Sequence, residues 1–236
     1  MYKIGRLQGF HRDPANDGAT QPANPDHAYD FEAVSAAGFA DQIGSDNWTA
    51  GGGGFTASPG KDGNALFANS SASYLYIAKT HPTDLSICGW GEFPQGYGEG
   101  EQFRITASGG GSIDTITVQI DDGQIVFFTE INTAGTPVSQ SHAIDVPEGW
   151  VFWGLALDDG TSMLCYANGA QHTFNSDIPA IAAKTGTVWL NIGSNINPQP
   201  GINIGIDHQM HWDGTVLTKS NFDWLYNGSY GRFYPF

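Results

Sequence analysis

The stretch that decides the fold closes the chain: Leu217-Thr218-Lys219-Ser220-Asn221-Phe222-Asp223-Trp224-Leu225-Tyr226-Asn227-Gly228. Thr218 is a good N-cap, because its hydroxyl can accept a hydrogen bond from a backbone N–H of the first helical turn. Asn227-Gly228 tolerates the left-handed conformation that ends a helix. One apolar face lies between these ends at helical spacing, made by Phe222, Leu225 and Tyr226. The stretch therefore predicts one short helix.

Almost everything upstream of this helix has the pattern of β-structure. Ser73 to Ile77 and Gln102 to Thr106 alternate between apolar and polar residues, as half-buried strands do. Hairpin turns are predicted where such segments are separated by Asp121-Asp122-Gly123, Asp158-Asp159-Gly160 and Asn168-Gly169. The pattern predicts an all-β fold, an antiparallel two-sheet jelly-roll sandwich closed by one short C-terminal helix.

The 236 residues are enough for one large sandwich, and the composition divides the chain in two. Residues 1–26 are polar and carry Lys3, Arg6 and Arg12, which are three of the 9 basic residues. We interpret them as an extended N-terminal arm, either a disordered tail or a docking arm that orders on a partner. Residues 27–236 form the predicted jelly-roll domain.

The net charge of −15, from 24 acidic and 9 basic residues, argues against a nucleic-acid partner and against an anionic membrane surface. The N-terminus lacks the apolar run of a signal peptide, so we expect synthesis in a cytoplasm, although a chain without its signal would look the same. Cys88 and Cys165 lie in apolar strand-like runs. We expect buried free thiols there, while a single disulfide stays open.

Six landmarks then occur in the order seen in a known family. They are Tyr29-Asp30-Phe31-Glu32, Asp41 to Gly44, Gly60 to Phe67, Leu85 to Trp90, the hairpin from Trp150 to Gly169, and Ile206-Asp207 with the closing helix. Together they resemble the laminin-G-like, concanavalin-A-like jelly rolls of many lectin-like modules, over residues 27–236. One departure is that Asp207 is followed by His208, where the family has Glu.

The resemblance implies a domain that binds glycans, binds proteins or serves as a structural shell. The ending from Tyr226 to Pro235 resembles the C-termini of members encoded by tailed bacteriophages. Our leading hypothesis is therefore a non-enzymatic virion protein assembled in the host cytoplasm, a capsid decoration (cement) or fibre protein. Its arm would dock on other virion proteins such as the major capsid protein, and we expect a homo-oligomer. The alternative is a carbohydrate-binding adhesion module for a host or environmental glycan.

Catalysis is not expected, because glucanases on this fold need paired carboxylates on one strand face. The nearest clusters are Glu99-Gly100-Glu101, in a glycine-rich loop, and Asp121-Asp122, in a turn. His208 and His211 are three residues apart, which places them on opposite faces of a strand. A metal shared by this pair is therefore not expected.

Two kinds of binding site are predicted. A glycan platform needs exposed aromatic rings, and the candidates in loop-like sequence are Trp48, Tyr97 and Trp212. The other tryptophans, including Trp90, Trp150, Trp153 and Trp189, are interpreted as core or strand positions. No cofactor is expected other than calcium, for which the resemblance suggests Asp30 and Asp207; ordinary turn and edge chemistry is the alternative.

Overall fold

The computed structural model of the protein describes residues 18–32, 39–52, 54–68, 73–79, 84–93, 100–109, 112–121, 123–133, 136–181, 188–192 and 205–236. Its strands are β1 (His27–Tyr29), β2 (Thr49–Gly52), β3 (Phe55–Pro59), β4 (Asn64–Ala68), β5 (Tyr74–Lys79), β6 (Asp84–Phe93), β7 (Gly100–Gly109), β8 (Ser112–Asp121), β9 (Gln124–Thr133), β10 (Thr136–Asp145), β11 (Gly149–Asp158), β12 (Ser162–Ala167), β13 (Ala170–Phe174), β14 (Val188–Ile192) and β15 (Gly205–Asp213). Helix α1 (Lys219–Tyr226) follows. Within the described residues, no helix combines the length and apolar character that crossing a membrane requires.

The strands form two antiparallel sheets. Sheet A has eight strands in the order β13-β12-β11-β6-β15-β4-β3, with β1 also paired to β15. Sheet B has seven strands in the order β10-β9-β8-β7-β14-β5-β2. The predicted two-sheet antiparallel sandwich with one short C-terminal helix is confirmed.

The hairpin turns lie where the sequence predicts them. Asn168 and Gly169 join β12 to β13, and both have positive φ, 45° and 96°. A two-residue hairpin turn needs this left-handed backbone, which Asn and Gly adopt most easily. The Asn168 side chain also accepts a hydrogen bond from the Phe152 backbone N–H at 2.9 Å, which ties the turn to β11.

The main core lies between the two sheets. Phe103 of sheet B stacks on Trp153 of sheet A with ring centroids 5.6 Å apart. On each strand the alternate side chains point inward, as Ile116 and Val118 do on β8. Removing this apolar area from water is the main source of the stability of the sandwich.

A second apolar cluster covers the outer face of sheet A. Trp90 and Phe152 point away from the main core and pack under α1, which buries Phe222 and Leu225. Gly154 makes room for the helix, because a Cβ there would lie 2.6 Å from the Phe222 ring. The helix lies over a sheet face and adds a third layer, together with the apolar C-terminal side chains Phe233, Tyr234 and Phe236.

The predicted caps of α1 are confirmed. The Thr218 side chain accepts a hydrogen bond from the Asn221 backbone N–H at 3.4 Å, and the Asn221 side chain accepts one from the Thr218 N–H at 2.9 Å. This reciprocal pair is a capping box. Asn227 ends the helix in the left-handed conformation, with φ of 49°.

The described part of the N-terminal segment, residues 18–26, is hydrogen-bonded to the sandwich. The Asp26 N–H donates to the His211 carbonyl at 2.9 Å, and the Asp26 carboxylate accepts from the Asp213 N–H at 2.9 Å. Pro22 and Pro25 are buried. Lys3, Arg6 and Arg12 lie outside the described residues, so their docking role stays a prediction.

Both cysteines are buried and free, as expected. Cys88 belongs to the cluster under α1, whereas Cys165 faces the main core. Because the two thiols point to opposite sides of sheet A, they do not form a disulfide. Burial raises the pKa of each thiol, which keeps both protonated and unreactive at neutral pH.

Candidate functional site

The tryptophans predicted to form a glycan platform are buried. Trp48 is 3% exposed and packs on Tyr29, with ring centroids 5.7 Å apart. Trp212 is 1% exposed and donates a hydrogen bond from Nε1 to the Ala23 carbonyl at 2.8 Å. Neither ring presents an open face to solvent, because both are packed as core side chains. Trp212 lies on strand β15 and not in a loop. Tyr97 lies outside the described residues.

A partly exposed aromatic group, of one exposed and two half-buried rings, lies instead on the outer face of sheet B. Tyr74 and Tyr76 come from β5, and Trp189 comes from the neighbouring strand β14. The Tyr76 and Trp189 rings meet edge to face with centroids 5.5 Å apart, and Tyr74 lies 6.2 Å from Tyr76. Trp189 is 38% exposed. Trp189 therefore occupies a strand position, as the sequence predicts, but its ring is not part of the core.

The strand pattern explains this exposure. Val188, Leu190 and Ile192 are buried in the main core, so Trp189 and Asn191 point to the other side of β14. On β5, Leu75 and Ile77 face inward and the two tyrosines face outward. The alternation in Val188-Trp189-Leu190-Asn191-Ile192 was the signal in the sequence that could have identified this face.

These rings border a cavity of about 430 Å³. Its lining comes from four neighbouring strands and consists of Ala50, Gly51, Tyr74, Tyr76, Thr106, Trp189 and Asn191. Gly51 has to be small, because a Cβ there would lie 2.0 Å from the Tyr74 ring. Three aromatic rings and two polar side chains therefore surround one open space.

The polar lining of the cavity lies on β7 and β14. Thr106 is directly opposite Trp189 in the sheet, and its Oγ1 is buried without a hydrogen-bond partner among the described residues. Asn191 is only 5% exposed although it lines the cavity. A buried polar atom without a partner costs about 1–3 kcal/mol.

Charged groups next to the cavity are paired with each other. Arg104 is opposite Asn191 in the sheet, and its guanidinium contacts the Glu101 carboxylate. Burial lowers the pKa of Arg104, and the charge of Glu130 acts in the other direction. The described residues that line the cavity are therefore mainly aromatic or hydrogen-bonding, and the neighbouring Arg104 cation is paired with the Glu101 carboxylate.

The calcium candidates lie at the beginning of β15 and after β1. Asp207 is fully buried; its Oδ2 accepts from the backbone N–H groups of Lys61 and Asp62 at 2.8 and 3.2 Å. Its Oδ1 is buried without a hydrogen-bond partner and lies 3.6 Å from His208 Nε2. Burial raises the pKa of Asp207 to about 8.

Asp30 is already engaged by protein groups. Its carboxylate accepts a hydrogen bond from the Gln42 side chain and another from the Glu32 N–H at 3.4 Å. Burial lowers the pKa of His208, while the charges of Asp62 and Asp30 act to raise it. The residue types around Asp207 fit an oxygen-binding cation, because one buried carboxylate oxygen lacks a partner. Calcium binding stays a prediction.

Solved structures of the same fold come from binding domains. Domain 4 of a GH43 extracellular arabinanase from Geobacillus stearothermophilus, solved in complex with arabinotriose, superposes with a TM-score of 0.63 at 17% identity. This similarity covers 90% of the present chain and 100% of that domain.

Two structures of the binding domain of botulinum neurotoxin DC are also similar. The complex with rat synaptotagmin II has a TM-score of 0.63 at 14% identity, covering 92% of this chain and 53% of that one. The complex with SialylT has a TM-score of 0.60 at 13% identity, covering 90% and 52%. The present chain thus spans about half the length of the toxin domains. No protein-family model and no curated protein sequence matches the chain. At these identities the similarities establish the fold.

Proposed function

We propose that this protein is a non-catalytic carbohydrate-binding module, and that its site is the cavity bordered by Tyr74, Tyr76 and Trp189. The observation that carries the proposal is the combination of exposed rings with the buried polar lining of Thr106 and Asn191. A sugar ring has an apolar C–H face that packs on an aromatic side chain, and hydroxyls that donate and accept hydrogen bonds. Both kinds of partner are present on one sheet face.

The solved relatives support a binding role. One was crystallised with arabinotriose and another with SialylT, both on the same fold. The synaptotagmin complex makes a protein ligand the competing possibility. The cavity favours the carbohydrate, because a space of about 430 Å³ lies within the usual range for a small-molecule pocket, roughly 300–1,000 Å³.

The experiment is a glycan array that includes arabino-oligosaccharides and sialylated glycans, followed by calorimetry on the best ligand. Trp189→Ala should weaken binding at least tenfold, about 1.4 kcal/mol, whereas Trp189→Phe should retain much of the affinity. Tyr230→Ala is the matched control, because Tyr230 is an exposed aromatic residue outside the cavity. An array without hits, or unchanged affinity in Trp189→Ala, would contradict the proposal.

A structural calcium ion is a second part of the proposal. Asp207 and Asp30 are the carboxylates that the resemblance suggests for it, and Asp207 is buried with one carboxylate oxygen that has no hydrogen-bond partner among the described residues. When bound, calcium would supply the positive charge that a buried carboxylate needs. A chelator should then lower the melting temperature by several degrees, and an unchanged melt would exclude the ion.

The interpretation as a capsid decoration or fibre protein stays a prediction. None of the three solved relatives described above is a virion protein. Mass spectrometry of purified virions tests this role directly. Removing residues 1–17 tests the docking arm better than removing 1–26, because residues 18–26 are hydrogen-bonded to the sandwich. Full attachment of the shorter chain would rule out a docking role for the arm.

A further inference from the structure

A histidine and three aspartates converge at the end of the sandwich where β1 begins and β15 ends. His27 is the first residue of β1, and Asp213 is the last residue of β15. Asp41 and Asp46 belong to the loop before β2. The His27 ring lies between these carboxylates. His27 Nδ1 is hydrogen-bonded to Asp41 Oδ2, and Nε2 is hydrogen-bonded to Asp213 Oδ2 and also lies near Asp46 Oδ2.

We propose that His27 Nε2, Asp46 and Asp213 form a binding site for a divalent transition-metal ion of the zinc type. The ligand atoms all lie within 4.8 Å of one another. Nε2 is 3.2 Å from Asp213 Oδ2 and 3.6 Å from Asp46 Oδ2. In a tetrahedral site with bonds of about 2.1 Å, neighbouring ligand atoms are about 3.4 Å apart. The two measured separations bracket this value.

Asp41 orients the imidazole for this role. His27 Nδ1 lies 2.5 Å from Asp41 Oδ2, and the Asp41 side chain has 0% exposure. A carboxylate that accepts from Nδ1–H places the lone pair of a neutral imidazole on Nε2, the atom a metal would bind. Metal-ligating histidines commonly have such a carboxylate behind them. Asp41 is therefore a positioning residue, not a ligand.

Backbone groups hold the Asp41 side chain in position. Its Oδ1 accepts hydrogen bonds from the Ala28 and Ile43 N–H groups at 3.2 and 3.1 Å. Gly44 permits this packing, because a Cβ there would lie 2.6 Å from Asp41 Oδ2 and 2.7 Å from His27 Nδ1.

The ligand types and their exposure indicate which metal fits. One imidazole nitrogen and two carboxylates suit zinc or cobalt, whereas calcium prefers oxygen ligands alone. The Asp46 and Asp213 side chains are 36% and 34% exposed. Solvent can therefore reach the ion and supply its fourth ligand. Such an ion would tie the start of β1 to the end of β15, 186 residues later, and would stabilise the fold.

The test uses the full-length protein after dialysis against a chelator, with Zn²⁺ titrated by calorimetry. The wild type should bind one Zn²⁺ per chain and melt at a higher temperature with the metal. Asp41→Asn should weaken binding about 10- to 100-fold, the usual effect of losing the carboxylate behind a ligating histidine. Asp46→Asn, the loss of an exposed ligand, should weaken it at least as much.

Asp145→Asn is the matched control, because Asp145 is an exposed aspartate that contacts Gln124 on sheet B. Its Zn²⁺ affinity should equal that of the wild type. Co²⁺ gives an independent signal, since a tetrahedral site yields intense visible absorption that Asp46→Asn should abolish. The absence of stoichiometric Zn²⁺ binding would overturn the proposal. Undiminished binding in both Asp46→Asn and Asp41→Asn, or loss of zinc in Asp207→Asn instead, would also overturn it.

Discussion

The outer faces of the two sheets are built differently, although the sheets share one core. On sheet A, Trp90 and Phe152 are covered by α1 and by apolar C-terminal residues. On sheet B, Trp189 stays 38% exposed beside a cavity. Aromatic side chains occur on both faces, so their presence alone does not identify a binding site. What distinguishes the faces is whether the chain itself covers the rings.

The covered face is expected to give the largest effect on stability. Leu225 belongs to α1 and is fully buried against the outer face of sheet A, and replacing a buried leucine by alanine typically costs about 2–5 kcal/mol. Leu225→Ala should lower the free energy of unfolding by that amount, and Leu225→Asp should prevent folding because it buries an unpaired charge. Val216→Ala is the control, because Val216 is 40% exposed. A folded Leu225→Asp protein with altered binding would assign α1 to the site.

The N-terminal segment should give the next largest effect. Removing residues 1–26 deletes the hydrogen bonds that Ala23 and Asp26 make with β15. Three such bonds at about 0.5–1.5 kcal/mol each predict a loss of roughly 1.5–4.5 kcal/mol in denaturant unfolding. The comparison is with a chain that lacks only residues 1–17 and keeps these hydrogen bonds. Equal stability of the two truncated chains would show that residues 18–26 add nothing to the covered face.

The free energy of unfolding is expected to depend on pH because the buried Asp207 carboxyl binds a proton in the folded state. Its pKa is about 8 in the folded state and 3.8 ordinarily, because burial penalises the carboxylate. Between these values the folded state keeps a proton that the unfolded chain releases, so this contribution to stability falls as the pH rises from about 4 to about 8. The unfolding free energy of the wild type should therefore fall relative to Asp207→Asn across this range. Parallel pH profiles of the two proteins would contradict the effect of burial. Ca²⁺ added at the upper end of this pH range should restore the stability of the wild type but not that of Asp207→Asn.

The open face should show the smallest change in stability and a clear change in binding. Thr106→Val removes a buried hydroxyl that has no partner among the described residues. The variant should be as stable as the wild type or slightly more stable, because no hydrogen bond is lost. Its affinity for a glycan should fall by the value of one hydrogen bond, about 0.5–1.5 kcal/mol. Reduced stability with unchanged affinity would make Thr106 an ordinary sheet residue.

The features that the sequence predicted correctly depend only on residues that are close together in the chain. The Thr218 cap and the Asn168-Gly169 turn are local, since each needs only a few residues in one conformation. The sequence also predicted which face of α1 is apolar, but not the surface that this face contacts. The position over sheet A depends on Gly154 and Trp90, which come from distant strands.

The binding sites were less predictable, because they too depend on contacts between residues that are distant in the chain. The loop-like surroundings of Trp48 and Trp212 suggested exposure, but distant residues bury both rings. The exposure of Trp189 follows from strand alternation, and this local signal was available. The group around His27 had no local signal, because its members are up to 186 residues apart.

The central claim is that ligand binds on the open face of sheet B and not on the covered face of sheet A. The most direct measurement is a titration of the isotope-labelled protein with the best glycan from the array, followed by backbone amide shifts. The account predicts shifts in β5, β7 and β14, centred on Tyr76, Thr106 and Trp189, that vanish in Trp189→Ala. Shifts centred on α1 and the C-terminal residues, with none in β14, would contradict it.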